Sequence, residues 1–191
     1  MKINFGLLKG RKLSYKVSAG VEKNVRPTTS IVKSSLFNLI MHNESLSSFD
    51  IKNSSVADFC CGTGSIGFEF LSLGATNCTF FDESHENLEN VNINAKNLNI
   101  LDKVSIKAVD LLNTKYANKI IDGKFDIIFF DPPYGKTNEI MISFISLIKN
   151  KELLKPNGLI IVESNHYLEV PDFTKILERK VRKDRILTFL C

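Results

Sequence analysis

From residue 55 onward, short apolar runs alternate with stretches of helical spacing. Residues 55–60, 78–81, 104–108, 125–130 and 159–162 are short, mainly apolar runs. Runs of that length predict strands buried on both faces, as in a parallel sheet. Residues 65–73, 83–98 and 138–149 place apolar side chains three and four apart and predict helices between the strands. Strand and helix in alternation imply a parallel sheet wrapped on both faces, with the ligand crevice at the carboxyl ends of the strands, where strand order reverses. Residues 175–181 and 185–190 flank the polar Arg182-Lys183-Asp184 and predict a terminal antiparallel hairpin. At the other end, 6–17 alternates loosely between glycines and predicts a small β-hairpin. Arg26-Pro27-Thr28-Thr29 then leads into an amphipathic helix over 30–40, with Ile31, Val32, Leu36, Leu39 and Ile40 on one face. The expected organisation is an amino-terminal β-hairpin extension over 1–29 and an α/β domain over 30–191.

At 191 residues there is room for one substantial core and little for a second. No apolar run approaches the ~20 residues that span a bilayer, and Asn4, Gly6 and Lys9 interrupt the first ten residues, so neither a membrane segment nor a signal peptide is predicted. Cys60, Cys61, Cys78 and Cys191 form no C-x-x-C pair and have no partnered His. That argues against a metal site or a disulfide framework and for reduced thiols in a cytoplasmic protein. His42, His85 and His166 lack a motif. No obligate protein partner is predicted.

Charge changes the picture more. Residues 1–53 hold nine Lys/Arg against three Asp/Glu, a net of +6, whereas the rest of the chain carries −2. A basic arm on a near-neutral body suggests a polyanion contact at one end, through Lys9, Arg11 and Lys12; a solvated lysine-rich hairpin is the bland alternative.

The candidate chemistry sits at the predicted strand ends. Gly62-Thr63-Gly64-Ser65-Ile66-Gly67 matches the dinucleotide fingerprint between a strand and a helix, so a nicotinamide cofactor has to be weighed. Asp58, just ahead of the glycines, argues against it, because a carboxylate aimed into that turn repels a pyrophosphate and attracts an ammonium. S-adenosylmethionine, cationic and without phosphate, fits better; the structural alternative for Asp58 is a cap on the next helix. Asp82 ends the second strand and can accept ribose hydroxyls of an adenosyl group or of NAD, with neighbouring Glu83 as a substitute. Asp110 follows the third strand and can accept from an adenine amine or cap a helix at Leu111-Leu112. After 125–130 comes Asp131-Pro132-Pro133-Tyr134. The two prolines remove backbone donors, leaving carbonyls and one carboxylate to accept from an exocyclic amine, with a flat ring beside them for the base.

Asp58, Gly62, Gly64, Asp82, Asp110 and Asp131-Pro132-Pro133-Tyr134 together resemble the class I S-adenosylmethionine-dependent methyltransferases, with their Rossmann-like seven-stranded sheet. Gly10-Arg11-Lys12-Leu13, Arg26-Pro27-Thr28, Lys33-Ser34-Ser35-Leu36-Phe37-Asn38, the glycine loop and Leu159-Ile160-Ile161-Val162-Glu163-Ser164 narrow the resemblance to the RsmD family over nearly the whole chain. Those enzymes methylate the N2 amine of a guanine in 16S ribosomal RNA. The resemblance implies that Asp131 and the Pro132 carbonyl orient the amine, that Tyr134 stacks on the ring, and that Arg26 and Thr28 close the methionine end of the cofactor. No metal is implied. Cys60-Cys61 departs from the small residues of many relatives, and 165–171 is undistinctive. The competing readings are a DNA adenine-N6 methyltransferase, which lacks a target-recognition domain at this length, a nicotinamide oxidoreductase, which leaves Asp131-Pro132-Pro133-Tyr134 unused, and a non-catalytic RNA-binding module.

Overall fold

The computed structural model describes residues 1–15, 30–111, 121–132 and 137–191, without the side chains of 137–139. Within them the chain runs α1 (Ser30–His42), β1 (Ser55–Phe59), α2 (Ser65–Ser72), β2 (Asn77–Asp82), α3 (His85–Leu98), β3 (Val104–Ala108), β4 (Phe125–Phe130), α4 (Thr137–Asn150), β5 (Leu154–Ser164), β6 (Ile176–Arg182) and β7 (Arg185–Leu190). The strands form one seven-stranded sheet in the order β3-β2-β1-β4-β5-β7-β6. Neighbours from β3 to β5 are parallel, and β7 runs antiparallel to both β5 and β6. The order reverses between β1 and β4, which puts the ligand crevice at their carboxyl ends.

Side-chain alternation divides the core in two. Val56, Phe80, Phe129, Ile161 and Phe189 point to one face and pack against α1, α2 and α3. Phe59, Phe81, Phe130, Val162 and Leu190 point to the other and meet Met141, Phe144, Ile145 and Ile148 of α4. Both faces are covered, which is why the central strands read as mainly apolar runs.

The expected elements are present, with three informative differences. Strand β5 begins at Leu154, where Phe125 pairs with Leu154, and the pairing shifts register before Ile127 meets Leu159. Pro156 and Asn157, the latter at φ 61°, carry the irregularity, so the turn residues interrupt the strand without ending it. Helix α3 begins one residue after Ser84, whose hydroxyl accepts from the Asn87 N–H at 3.3 Å.

The third difference lies at the amino terminus. Antiparallel pairing joins Lys2 to Lys12, flanked by Ile3 N–H to Arg11 C=O (3.0 Å) and Leu13 N–H to Met1 C=O (2.9 Å). Gly6 and Gly10 therefore lie in the connecting turn and do not bound the hairpin; residues 16–17 of the expected hairpin lie outside the described residues. Gly6 has φ +71° and lies so close to α2 that a Cβ would meet the Ser72 carbonyl oxygen at 1.9 Å. The arm is seated by buried chemistry. Glu69 of α2 accepts from the N–H groups of Asn4 (2.8 Å) and Phe5 (3.1 Å) and from Lys33 Nζ (2.9 Å), and Lys33 also donates to the Lys2 carbonyl (2.9 Å). Ile3 and Leu13 join the core of the main body.

Candidate active site at the carboxyl edge

Asp58, Asp82 and Asp131 stand at the carboxyl ends of β1, β2 and β4, three adjacent strands. Strand β1 ends at Phe59, and Cys60 turns the chain at φ 56°, an uncommon conformation for a residue with a side chain. Gly62 and Gly64 follow at φ 51° and 72°, and the Gly64 N–H closes a tight turn on the Cys61 carbonyl at 2.7 Å. The glycines are required there by backbone geometry.

Asp58 is buried, and its Oδ2 accepts from the Gly67 N–H in the first turn of α2 at 2.9 Å. The capping alternative is thus realised by one of its oxygens. Burial pushes this carboxyl up to about 8, opposed by the Gly67 N–H and reinforced by the charges of Asp131 and Asp82.

Asp82 ties the glycine loop to the second strand. Its Oδ2 accepts from the Gly62 N–H at 2.8 Å, and its Oδ1 accepts from the Ser84 N–H at 2.9 Å and from Asn87 Nδ2 at 3.1 Å. A carboxylate offers about four lone-pair sites. Three are taken by protein donors, so Oδ2 keeps room for one further hydroxyl. Asp82 is buried and Glu83 exposed, which places Asp82 at the crevice. Its partners Ser84 and Asn87 escaped the sequence reading, although a Ser followed three residues later by a polar side chain is a helix-start signal. The Val109 N–H donates to the Asp82 carbonyl at 2.9 Å, bringing the half-buried Asp110 to the same edge.

Asp131 follows β4, with its N–H directed at the Phe59 carbonyl (3.4 Å) and its side chain 24% exposed. Pro132 is buried beside it. Pro133, Tyr134, Arg26 and Thr28 lie outside the described residues. Asp131 Oδ1 lies 3.6 Å from Nη1 of Arg185 on β7, and the same nitrogen contacts Glu163 Oε1 on β5. Neither Glu163 nor Arg185 was assigned a role from sequence; a charged residue inside the apolar run Ile160-Ile161-Val162-Glu163 was the available signal, since such a group needs a partner.

Burial pushes the thiols of Cys60, Cys61 and Cys78 well up, and neighbouring carboxylates add to the effect. They stay protonated and unsuited to nucleophilic attack. Among the described residues there is no cluster of His, Cys, Asp and Glu able to hold a metal, and no helix long and apolar enough to cross a membrane. Lys9, Arg11 and Lys12 are exposed, but an Arg11 Nη donates to the Asn97 carbonyl at the end of α3 (2.7 Å), so Arg11 also fastens the arm.

Comparison with known proteins gives the family and the fold. The family described as Conserved hypothetical protein 95 matches residues 1–189. Ribosomal RNA small subunit methyltransferase D of Buchnera aphidicola subsp. Acyrthosiphon pisum is 34% identical over 158 residues, covering 83% of this chain and 74% of that protein. The protein of the same name from Haemophilus influenzae is 32% identical over 171 residues, covering 86% and 78%. Among solved structures, yhhF from Escherichia coli superposes with a TM-score of 0.78 at 22% identity, covering 100% of this chain and 96% of that one. The chain therefore belongs to the Conserved hypothetical protein 95 family, the RsmD-type methyltransferases.

Proposed function

We propose that this rRNA methyltransferase transfers the methyl group of S-adenosylmethionine to the N2 amine of a guanine in 16S ribosomal RNA, within a small-subunit particle. The observation that carries the reading is the row of three carboxylates, Asp82, Asp58 and Asp131, across adjacent strand ends at the point where strand order reverses. An acid-lined crevice suits a cationic nucleoside and an amine, and repels a diphosphate. The relatives' names supply the ribosomal target, and a fold neighbour from Salinibacter ruber, an RNA methyltransferase, was solved with S-adenosylhomocysteine. Family membership sets aside the nicotinamide reading of the glycine loop.

The residues fit the cofactor in kind: Asp82 keeps one acceptor site for a ribose hydroxyl, Asp58 can become a carboxylate beside the glycine loop when a cationic ligand displaces its proton, and Asp110 can accept from the adenine amine. Bound there, S-adenosylmethionine supplies an electrophilic methyl on a sulfonium. The protein's task is to present the amine. Guanine N2 is a poor nucleophile because its lone pair is delocalised into the ring. Accepting its hydrogens at Asp131 and the Pro132 carbonyl frees the lone pair and fixes its direction, and Asp131 can take the proton released after transfer. Tyr134 would stack on the base and Arg26 and Thr28 would close over the methionine end.

Mapping methylated nucleosides in ribosomal RNA from cells with and without the protein tests the reading. Loss of N2-methylguanosine from 16S rRNA is expected; an unchanged profile in that RNA rejects it.

Two further results are expected. Reversing the charges of Lys9 and Lys12 weakens RNA binding, with the salt slope falling by about 0.7 for each phosphate that is no longer neutralised, and leaves cofactor affinity intact; filter binding across a salt series checks this. The second concerns pH. In the ligand-free fold Asp58 holds a proton that the unfolded chain releases near 3.8, so its stabilising contribution is present below that value and lost as pH rises through about 8. A cationic ligand favours the ionised carboxylate. Affinity for S-adenosylmethionine, whose sulfonium makes it cationic, should rise as pH climbs towards about 8, with proton release below it, measurable by calorimetry in buffers of different ionisation enthalpy.

A further inference from the structure

We infer that Arg185, anchored by Glu163, is a positioning residue that holds the Asp131 carboxylate in place and ionised as acceptor for the substrate amine. The inference rests on the amine-acceptor role proposed for Asp131. Strand register brings the three together. Phe130 pairs with Val162, so Asp131 follows beside Glu163, and Glu163 pairs with Leu187, one same-face step from Arg185. All three side chains lie on the α1–α3 face, because Phe129, Ile161 and Leu187 of the same parity pack there. Nη1 of Arg185 then contacts both acids.

A purely structural ion pair does not need this arrangement. Arg185 and Glu163 are buried, at 7% and 1% exposure, and Glu163 alone would neutralise the guanidinium. The same nitrogen nevertheless reaches a second carboxylate, the partly exposed one at the mouth of the crevice. Glu163 Oε2 is buried with no hydrogen-bond partner among the described residues, an expensive placement for an ionised acid. Burial lifts Glu163 to about 8 and Asp131 to about 6, while Arg185 draws both down. The guanidinium thus lies between the two acids, closer to Glu163 and 3.6 Å from Asp131, and favours the ionised form of each. Among the described residues the other titratable groups in electrostatic reach are Asp58 on β1 and Cys60 in the glycine loop, with Asp184 acting on Glu163. None of these is cationic, so Arg185 is what keeps Asp131 able to accept. A guanidinium suits the task, since it is always charged and rigid and cannot pass its proton to the acid.

The test uses the full chain with Arg185→Gln, Arg185→Lys, Glu163→Ala and Glu163→Gln. Three quantities are read: S-adenosylhomocysteine affinity by calorimetry, single-turnover methylation of small-subunit rRNA against pH, and titration of the Asp131 carboxyl by carbon-13 NMR. Arg185→Gln should keep near-wild-type affinity for S-adenosylhomocysteine and lose about 10²-fold in single-turnover rate. Both the acidic limb of the rate profile and the Asp131 titration should move to higher pH. Arg185→Lys keeps the charge, so the limb stays in place and part of the rate returns. Glu163→Ala should slow transfer, and Glu163→Gln, still an acceptor for the guanidinium, should recover most of the loss. An Asp131 titration unchanged in Arg185→Gln would overturn the inference, as would a loss of rate matched by equal losses of cofactor affinity and melting temperature in both Arg185 variants. If the wild-type protein leaves the RNA unmethylated, the amine-acceptor reading fails, and the Asp131 titration still reports what Arg185 does to it.

Discussion

Replacing Asp131 by alanine is expected to lower methyl transfer to ribosomal RNA by about 10²–10⁴-fold while S-adenosylhomocysteine affinity stays close to that of the wild type. The separation follows from where the side chain sits. Among the described residues, Asp131 is held by its own N–H on the Phe59 carbonyl at the end of β1 and by the Arg185 charge, and its side chain is not among the partners that tie the glycine loop. Truncation leaves the backbone bond in place. It also leaves Arg185 paired with Glu163, so no buried cation is stranded and the fold should survive. What disappears is the acceptor that aligns the amine. Asp131→Asn is the sharper control, because it keeps the size and one carbonyl acceptor but removes the charge that Arg185 stabilises. Single-turnover rates with saturating cofactor decide the matter, and near-wild-type transfer by both variants would exclude Asp131 from the chemistry.

The second large effect belongs to Asp82 and has the opposite signature. Asp82→Ala should reduce S-adenosylhomocysteine affinity by about 100-fold and lower stability by about 3 kcal/mol, the order expected when hydrogen bonds to a charged acceptor are lost and buried donors are left open. The Gly62 N–H, the Ser84 N–H and Asn87 Nδ2 all lose their partner at once. The glycine loop is then untied from β2, and a site organised by that loop loses its shape together with its ribose acceptor. Asp82→Asn retains an acceptor for at most part of this set and should fall between. Calorimetry gives the affinity and urea unfolding the stability; a variant that keeps wild-type affinity would remove Asp82 from the cofactor site. The two expected results together would divide the proposed site into a catalytic and a binding carboxylate.

Much of the fold was legible along the chain because parallel strands covered on both faces leave mainly apolar runs, and each run ends at the carboxyl edge. Asp58, Asp82 and Asp131 were found simply by reading the residue at or near the end of a run. The capping bond from Gly67 to Asp58 was legible as an alternative, since an acid ahead of a helix start commonly serves that purpose. The partnership of Arg185 with Glu163 and Asp131 was not. It depends on β7 entering the sheet between β5 and β6, and a hairpin pattern does not say which of its strands lies innermost. The arm misled for a similar reason. Gly6 and Gly10 look like borders of a hairpin, yet they belong to its turn, and what holds the arm is Glu69, a buried acid on a helix 65 residues beyond Asn4. Long-range pairing of charged groups leaves no local period to detect.

A crystal structure of the protein with S-adenosylhomocysteine tests the central claim most directly. The adenosyl group is predicted to lie across the carboxyl ends of β1 and β2, with a ribose hydroxyl on Asp82 Oδ2 and the sulfur facing the Asp131 side of the crevice. A ligand bound away from the glycine loop, or a sulfur turned from Asp131 with no path for an amine between them, would contradict it.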